Sequence, residues 1–171
     1  DKAPESVIAG ARRVLKWFPD TRFIFFGREP VIAPLIAKYR GLAAVSEIVH
    51  TDVVITMDAK PSAALRQGKQ SSMRLAIDAV AEGRASAMVS AGNTGALMVM
   101  AKMVLKTLPG IHRPAITATV PSRHRPVVLL DMGANIDCTA EHLVQFAMMG
   151  DAYARAMLGI EKPRVGLLNV G

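Results

Sequence analysis

The residues most suited to chemistry lie in a glycine-rich segment, Ser90-Ala-Gly-Asn-Thr-Gly95, between two apolar runs. Glycines let a backbone approach a ligand closely, and the N–H groups at a helix start attract anions. Short polar side chains add further donors and acceptors. The segment therefore predicts a phosphate site, and a strand-to-helix turn without a ligand is the alternative. The candidate residues are Ser90, Gly92, Asn93, Thr94 and Gly95.

A second segment, Asp131-Met-Gly-Ala-Asn-Ile-Asp137, also follows an apolar run and precedes a helical pattern. Asp131, at the end of the predicted strand, can accept hydrogen bonds from backbone amides or from a substrate hydroxyl. A turn or cap residue is the equally weighted alternative. We take Asp131, Gly133, Ala134 and Asn135 as candidates here.

Four cations, Lys60, Arg66, Lys69 and Arg74, lie in residues 59–77, which hold no acid. Such a run is usually a solvated face, and that remains the first interpretation; the absence of a balancing acid strengthens the alternative, an anionic ligand. Ser71 and Ser72 stand where a helix is expected to begin and are candidates for the same site.

His142 falls early in a predicted helix, where it serves either as a structural residue or as a proton donor. Cys138 is the one cysteine and is expected to be packed or partly exposed. The sequence has no His-Glu-x-x-His or paired-cysteine spacing and no Gly-x-x-x-x-Gly-Lys-Ser/Thr segment. We therefore expect neither a metal nor a cofactor.

The positive charge is concentrated in two internal segments of the sequence. The net charge is +7 over 171 residues, and residues 59–77 and 84–130 together hold ten basic residues and no acid. Hydrophobic residues make up 51%, so a core can be buried, which excludes a disordered chain. The longest uncharged stretch, 85–101, has Gly92-Asn-Thr-Gly95 at its centre, which argues against a membrane span.

The apolar spacing predicts helices that alternate with strands. Helices are expected near 7–18, 31–38, 71–83 and 97–108 and from Asp137 or Thr139 onward. Strands are expected at 23–27, 48–49, 53–56, 87–89, 115–120, 127–130 and 164–170. Because several strands are apolar throughout, we predict an α/β fold with three layers and a largely parallel sheet. The final strand, with nothing after it, suggests an incomplete chain.

Seven segments in order resemble the bacterial phosphate acyltransferase family, the PlsX family. They begin at Lys60 (KPSAALR), Lys69 (KQSSM), Ser90 (SAGNTGA), Leu105 (LKTLPGIHRPA), Leu130 (LDMGAN), Glu141 (EHLVQFA) and Pro163 (PRVGLLNVG). Each is weak alone, but the ordered set is specific and covers essentially the whole chain. On this resemblance, residues 1–171 are a single α/β region, the N-terminal part of a longer enzyme whose first strand and C-terminal half are absent.

The resemblance implies an isocitrate-dehydrogenase-like or phosphotransacetylase-like fold. It implies that inorganic phosphate attacks the thioester of fatty acyl–acyl carrier protein, giving acyl phosphate, the first step of phosphatidic acid synthesis. Acyl carrier protein and phosphate are the expected partners, and a glycerol-3-phosphate acyltransferase acts downstream. The resemblance also implies a homodimer that is cytoplasmic and peripherally associated with the membrane.

Under this reaction we assign roles to the candidates. Asn93 and Thr94 hold phosphate at the helix start, and Lys60 or Lys69 offsets negative charge. Gly133, Ala134 and Asn135 polarise the thioester carbonyl. His142 assists proton transfer to the leaving thiol.

Two other classes remain alternatives. A dehydrogenase of related fold needs Gly-x-Gly-x-x-Gly and an acid about 20 residues later, whereas this chain has Gly-x-x-Gly and no acid between Gly83 and Leu130. A nucleic-acid-binding module is suggested by the pI of about 10.0. The two basic segments hold no aromatic residue, which disfavours a single-strand binder.

Overall fold

A computed structural model of the chain describes residues 3–168, which fall into two compact units. The first unit ends at Lys106 and the second begins at Thr107. Each is described by itself below. The expectation of a single α/β region over residues 1–171 stays a prediction.

The first unit combines six helices with a parallel pair of strands. In chain order its elements are α1 (Glu5–Val14), β1 (Phe23–Gly27), α2 (Glu29–Ala37), α3 (Arg40–Ala43), β2 (Ser46–His50), α4 (Pro61–Gln67), α5 (Ser72–Ala81) and α6 (Thr94–Leu105). The strands are in register from Phe23 opposite Ser46 to Gly27 opposite His50. A mixed α/β fold with a parallel sheet is therefore confirmed.

Two apolar clusters hold this unit together. The first joins α1 and α2 to the sheet through Ile8, Ala11, Ile32, Ile36 and Leu42. The second joins α4, α5 and α6 through Ala64, Met73, Ile77, Ala96 and Met100. Because α4 and α5 both pack against α6, the second cluster fixes the positions of the three helix starts relative to one another.

The second unit has an antiparallel hairpin and one long helix. Its elements are β3 (Ala118–Val120), β4 (Val127–Leu129) and α7 (Ala140–Leu158). Ala118 lies opposite Leu129 and Val120 opposite Val127, so the prolines between them mark the turn, as predicted. Helix α7 begins after Thr139, which confirms the second of the two predicted caps.

Most predicted elements form, but three predicted strands do not. Residues 53–56, 87–89 and 164–168 lie outside any strand, and residues 169–170 of the last one lie outside the described residues. An extended segment becomes a strand only when a neighbour accepts and donates its backbone hydrogen bonds. No described residue pairs with these segments in a ladder, and Val89 is 92% exposed. Apolar content alone was a misleading signal there.

Among the described residues, no helix is both long enough and apolar enough to cross a bilayer.

Candidate functional site

The centre of the first unit's candidate site is Asn93, which stands directly before α6. Its Oδ1 accepts a hydrogen bond from the Ala96 N–H at 2.9 Å, so Asn93 is the N-cap of the helix. Its Nδ2 faces the carbonyl oxygens of Thr56, Met57 and Ala59, at 3.2, 3.0 and 2.9 Å. One buried side chain thus ties the start of α6 to a loop more than 30 residues earlier.

This arrangement commits the Asn93 amide to the chain itself. Its two N–H bonds face three carbonyls and its oxygen caps the helix, so the amide orientation is fixed by its partners. The side chain is a positioning group in this geometry. Direct contact between Asn93 and phosphate stays a prediction.

The first turn of α6 leaves donors for an anion. The N–H groups of Ala96 and Leu97 bond to Asn93, whereas those of Thr94 and Gly95 have no partner within residues 3–168. Thr94 is also exposed. The first N–H groups of a helix lack intrahelical partners and carry its positive dipole end, so they suit a phosphate oxygen.

Two other helices begin beside this turn. A Cβ on Gly95 would lie 3.0 Å from Pro61 Cγ, in the first turn of α4. A Cβ on Gly92 would lie 3.2 Å from Met73 Cε, in the first turn of α5. Both glycines therefore allow close approach, and the starts of three helices gather around residues 92–95. The start of α6 therefore packs against residues in the first turns of α4 and α5.

Ser71 and Ser72 support this arrangement from the start of α5. Ser71 is fully buried; its Oγ donates to the Gly68 carbonyl at 2.6 Å and accepts from the Arg74 N–H at 3.2 Å. The Ser72 N–H donates to the Val53 carbonyl. Ser71 is thus the predicted cap, and both residues hold the helix in place through bonds within the protein.

The cations predicted for this site are solvent-facing. Lys60 is the N-cap residue of α4, and Lys69 lies in the turn before α5; both are exposed. Neither forms an ion pair with any residue in the described range. Arg74 is different, because its Nε is 2.8 Å from Asp78 Oδ1. Lys60 and Lys69 therefore remain available to an anion, and Arg74 is neutralised.

One acid, Asp58, lies in the loop held by Asn93. A hydrogen bond from the Thr56 side chain, and then one from its own backbone N–H, lower the pKa of Asp58 below its usual 3.8. Asp58 directly precedes residues 59–77, the segment that holds four cations and no acid. It sets a negative charge two residues before Lys60, a feature that charge counting by segment missed.

In the second unit, Asp131 organises its own loop. Its Oδ1 accepts from the Ile116 N–H at 2.7 Å, and its Oδ2 accepts from the Asn135 N–H at 2.6 Å. Asn135 Nδ2 donates to the Pro114 carbonyl at 2.9 Å. The expectation that Asp131 bonds backbone amides is confirmed. Gly133 adopts φ +89°, which favours glycine, and is exposed beside half-buried Ala134.

His142 is buried in the first turn of α7 and forms a capping box with Thr139. Its Nδ1 accepts from the Thr139 N–H at 3.2 Å, and its own N–H donates to Thr139 Oγ1 at 3.3 Å. Its ring stacks on Phe146 and meets the edge of His112. These contacts give His142 a structural role, and proton transfer by it stays a prediction.

Sequence reasoning placed Gln145 near His142 on the same helix face, but it missed His112. His112 Nδ1 lies 3.6 Å from Glu141 Oε1, and the His112 N–H donates to buried Gln145 at 2.8 Å. The spacing of Glu141 and Gln145, four residues apart on one helix face, was a signal that could have linked them. Cys138 is exposed, in agreement with expectation.

The comparisons with known proteins agree with one another. The family model described as fatty acid synthesis protein matches residues 1–171. A protein of Rhodospirillum centenum named phosphate acyltransferase is 57% identical over 171 residues, all of this chain and 48% of that protein. Proteins of the same name from Paramagnetospirillum magneticum and Granulibacter bethesdensis are 50% and 51% identical over all of this chain, which covers 49% and 46% of them.

The chain thus spans about half the length of the curated relatives it matches. The family match covers every residue, including both candidate loops. The resemblance inferred from the ordered segments is therefore confirmed: the chain belongs to the fatty acid synthesis protein family.

Proposed function

We propose that the full-length protein transfers a fatty acyl group from acyl carrier protein to inorganic phosphate, forming acyl phosphate in phospholipid synthesis. The observation that carries this proposal is the start of α6, where the Thr94 and Gly95 N–H groups have no partner among residues 3–168 and the glycines pack against the first turns of α4 and α5. Family membership and the relatives' shared name support the same reaction.

The site must position phosphate more than deprotonate it, because phosphate is already anionic near neutral pH. The Thr94 and Gly95 N–H groups bind its oxygens, and Lys60 or Lys69 offsets the remaining charge. Asn93 fixes these donors by capping α6 and holding the 56–59 loop against it. Ser90, Gly92, Ser71 and Ser72 complete the site by shaping its walls.

In the reaction, a phosphate oxygen attacks the thioester carbonyl carbon, the C–S bond breaks, and the sulfur leaves with the electron pair. Gly133 and Ala134 polarise the carbonyl, and Asp131 and Asn135, which bond to each other, hold that loop in shape. We assign His142 Nε2 as the proton donor to the departing sulfur, since Nδ1 is already an acceptor. A His142→Ala enzyme with an unchanged rate and pH profile would limit His142 to its cap.

We also propose the finer properties that the resemblance implies. These are a three-layer sheet of the isocitrate-dehydrogenase or phosphotransacetylase type, a homodimer, and a cytoplasmic protein peripherally associated with the membrane. Fatty acyl–acyl carrier protein is the donor, and the acyl phosphate passes to a glycerol-3-phosphate acyltransferase.

The test uses the full-length protein with acyl–acyl carrier protein and inorganic phosphate. Hydroxylamine traps acyl phosphate as a hydroxamate, and a thiol reagent counts the released carrier. We expect both products in equal amounts and only when phosphate is present. Lys60→Gln combined with Lys69→Gln should raise the phosphate KM, whereas Lys162→Gln, which removes an exposed lysine of the second unit, should not. Phosphate-independent release of the thiol, with no hydroxamate, would refute the proposal.

A further inference from the structure

An exposed carboxylate, that of Asp58, lies in the loop that Asn93 ties to the start of α6. Asn93 Nδ2 donates to the carbonyl oxygens of Met57 and Ala59 at 3.0 and 2.9 Å, and these two residues flank Asp58. The same asparagine directly precedes Thr94, whose N–H group has no partner within residues 3–168. One side chain therefore holds Asp58 close to the helix start that we assign to phosphate.

The Asp58 carboxylate has no cation of its own in the part of the chain that the structure describes. It forms no ion pair there, although Lys60 is only two residues away. A hydrogen bond from the Thr56 side chain, and then one from its own backbone N–H, lower the pKa of Asp58. Asp58 is therefore a negative charge at neutral pH, and the Thr56 hydroxyl orients it.

Local structure does not require a charge at this position. Lys60 is the N-cap residue of α4, and among the described residues no side chain accepts a hydrogen bond at that cap. Asparagine would accept the hydrogen bond from Thr56 equally well, and it is as common as aspartate in turns. An acid near the start of α4 gains some energy from the helix dipole, but that gain does not need a loop tied to α6.

A carboxylate beside an anion site repels the anion unless the anion can donate a hydrogen bond to it. Inorganic phosphate keeps a proton near neutral pH, and its O–H group can donate to a carboxylate in a charge-assisted bond. Sulfate has nearly the same shape but carries no proton, so it meets only the repulsion. Repulsion of an unwanted ligand is a general source of specificity.

We infer that Asp58 is a specificity-determining residue, which accepts a hydrogen bond from the O–H group of phosphate and thereby excludes sulfate. Thr56 is a positioning residue, because it orients the carboxylate. The N–H groups of Thr94 and Gly95, with Lys60, bind the unprotonated oxygens. This inference rests on the proposed function, since it adds one contact to the same phosphate site and names the bound species as hydrogen phosphate.

The experiment measures sulfate as a competitor of phosphate in acyl phosphate formation by the full-length protein. A slightly alkaline buffer keeps phosphate mostly as the dianion, so that both ligands carry the same charge. The readout is the ratio of the sulfate inhibition constant to the phosphate KM. We expect Asp58→Asn to lower this ratio about tenfold, the scale of one hydrogen bond to a charged group. A charge acting only at a distance would affect both dianions equally and leave the ratio unchanged.

Two further variants separate the contact from the charge. Glu82→Gln removes an exposed acid at the far end of α5 and should leave the ratio unchanged. Thr56→Val keeps the carboxylate but removes the hydroxyl that orients it, and should lower the ratio about threefold, the scale of a neutral hydrogen bond.

Arsenate and selenate separate the proton from the size of the anion, because the two are similar in size and only arsenate keeps a proton near neutral pH. As competitors of phosphate, they should follow the same rule. Asp58→Asn should strengthen inhibition by selenate relative to inhibition by arsenate.

The outcomes distinguish this inference from the proposed function. An unchanged ratio in Asp58→Asn, with phosphate-dependent hydroxamate still formed, would overturn the inference and leave the proposed function standing. Wild-type inhibition by sulfate as strong as the phosphate KM, or an equal fall of the ratio in Glu82→Gln, would overturn it in the same way. Absence of hydroxamate with the wild-type protein would overturn the proposed function and the inference together.

Discussion

The two candidate loops use side chains of similar shape, an asparagine in one and an aspartate in the other, for opposite purposes. In the first unit, the Asn93 side chain reaches outward and holds the carbonyls of a loop more than 30 residues away. In the second unit, the Asp131 carboxylate turns inward and takes up the N–H groups of Ile116 and Asn135. The first loop consequently leaves the Thr94 and Gly95 N–H groups without a partner among the described residues. The second loop supplies an acceptor for the N–H group of its own Asn135.

The difference follows from charge. A carboxylate accepts several N–H bonds and so closes a loop on itself, removing the donors that an anion would need. An amide both donates and accepts, so it can cap a helix while binding carbonyls elsewhere. We therefore assign phosphate binding to the first loop, and to the second a fixed shape from which Gly133 and Ala134 polarise the thioester carbonyl.

The largest effect is expected for Asn93→Asp. Aspartate can still cap α6, but it cannot donate to the three carbonyls of the 56–59 loop and instead sets a negative charge against them. The free energy of unfolding should fall by about 3 kcal/mol. Phosphate-dependent turnover of the full-length enzyme should fall about 100-fold or more.

Asn93→Ser is the matched variant, because serine caps helices well but does not reach the loop. It should lose turnover by a similar factor with a smaller loss of stability. Near-normal turnover in both variants would show that the tie between the loop and α6 has no part in phosphate binding.

A smaller effect is expected for Asp131→Asn. One carboxylate oxygen becomes an NH₂ group that faces an N–H donor, so one half-buried amide loses its acceptor. Urea unfolding should show a loss of about 2 kcal/mol. Because Asp131 shapes the carbonyl-polarising loop, kcat should fall while the phosphate KM stays the same. A raised phosphate KM with unchanged kcat would reverse the roles given to the two loops.

The smallest effect concerns Asp58. Its pKa is lowered by the Thr56 side chain and its own N–H, so its carboxylate form is favoured in the folded protein. That contribution is present above the ordinary pKa of 3.8 and is lost as the pH falls through the lowered value. Asp58→Asn should therefore lower the urea midpoint slightly at pH 7 and by less at pH 3. An equal difference at both pH values would contradict this assignment.

Much of the fold was predictable from local patterns. Ser71 as a cap, with Met73 and Ile77 on one face, predicts helix α5. In the structure Ser71 is the N-cap, and Met73 and Ile77 are buried. The parallel pair was signalled by Phe23–Gly27, which is apolar throughout. The strands predicted at 53–56 and 87–89 failed because pairing depends on a neighbouring chain segment, which local composition does not specify.

The candidate residues could also be recognised from the sequence, but the residues that they contact could not. Gly-x-x-Gly after an apolar run pointed to α6, yet nothing local shows that Asn93 reaches Thr56 or that Gly95 meets Pro61. Those contacts depend on how three helices pack. The ion pair of Arg74 with Asp78 is different, because the two residues are four apart on α5 and their spacing could have predicted it from the sequence.

The central claim is that backbone N–H groups at the start of α6 bind phosphate, and Thr94→Pro tests it most directly. Proline fits the first position of a helix, and Asn93 before it is already extended, so the substitution removes one N–H without breaking α6. Thr94→Ala removes the hydroxyl alone, and Ala140→Pro makes the same backbone change at the start of α7. We predict that the phosphate KM of full-length Thr94→Pro rises at least about tenfold, the scale of one hydrogen bond to a charged group, while both controls change less than about threefold. An unchanged phosphate KM in folded Thr94→Pro would contradict the claim.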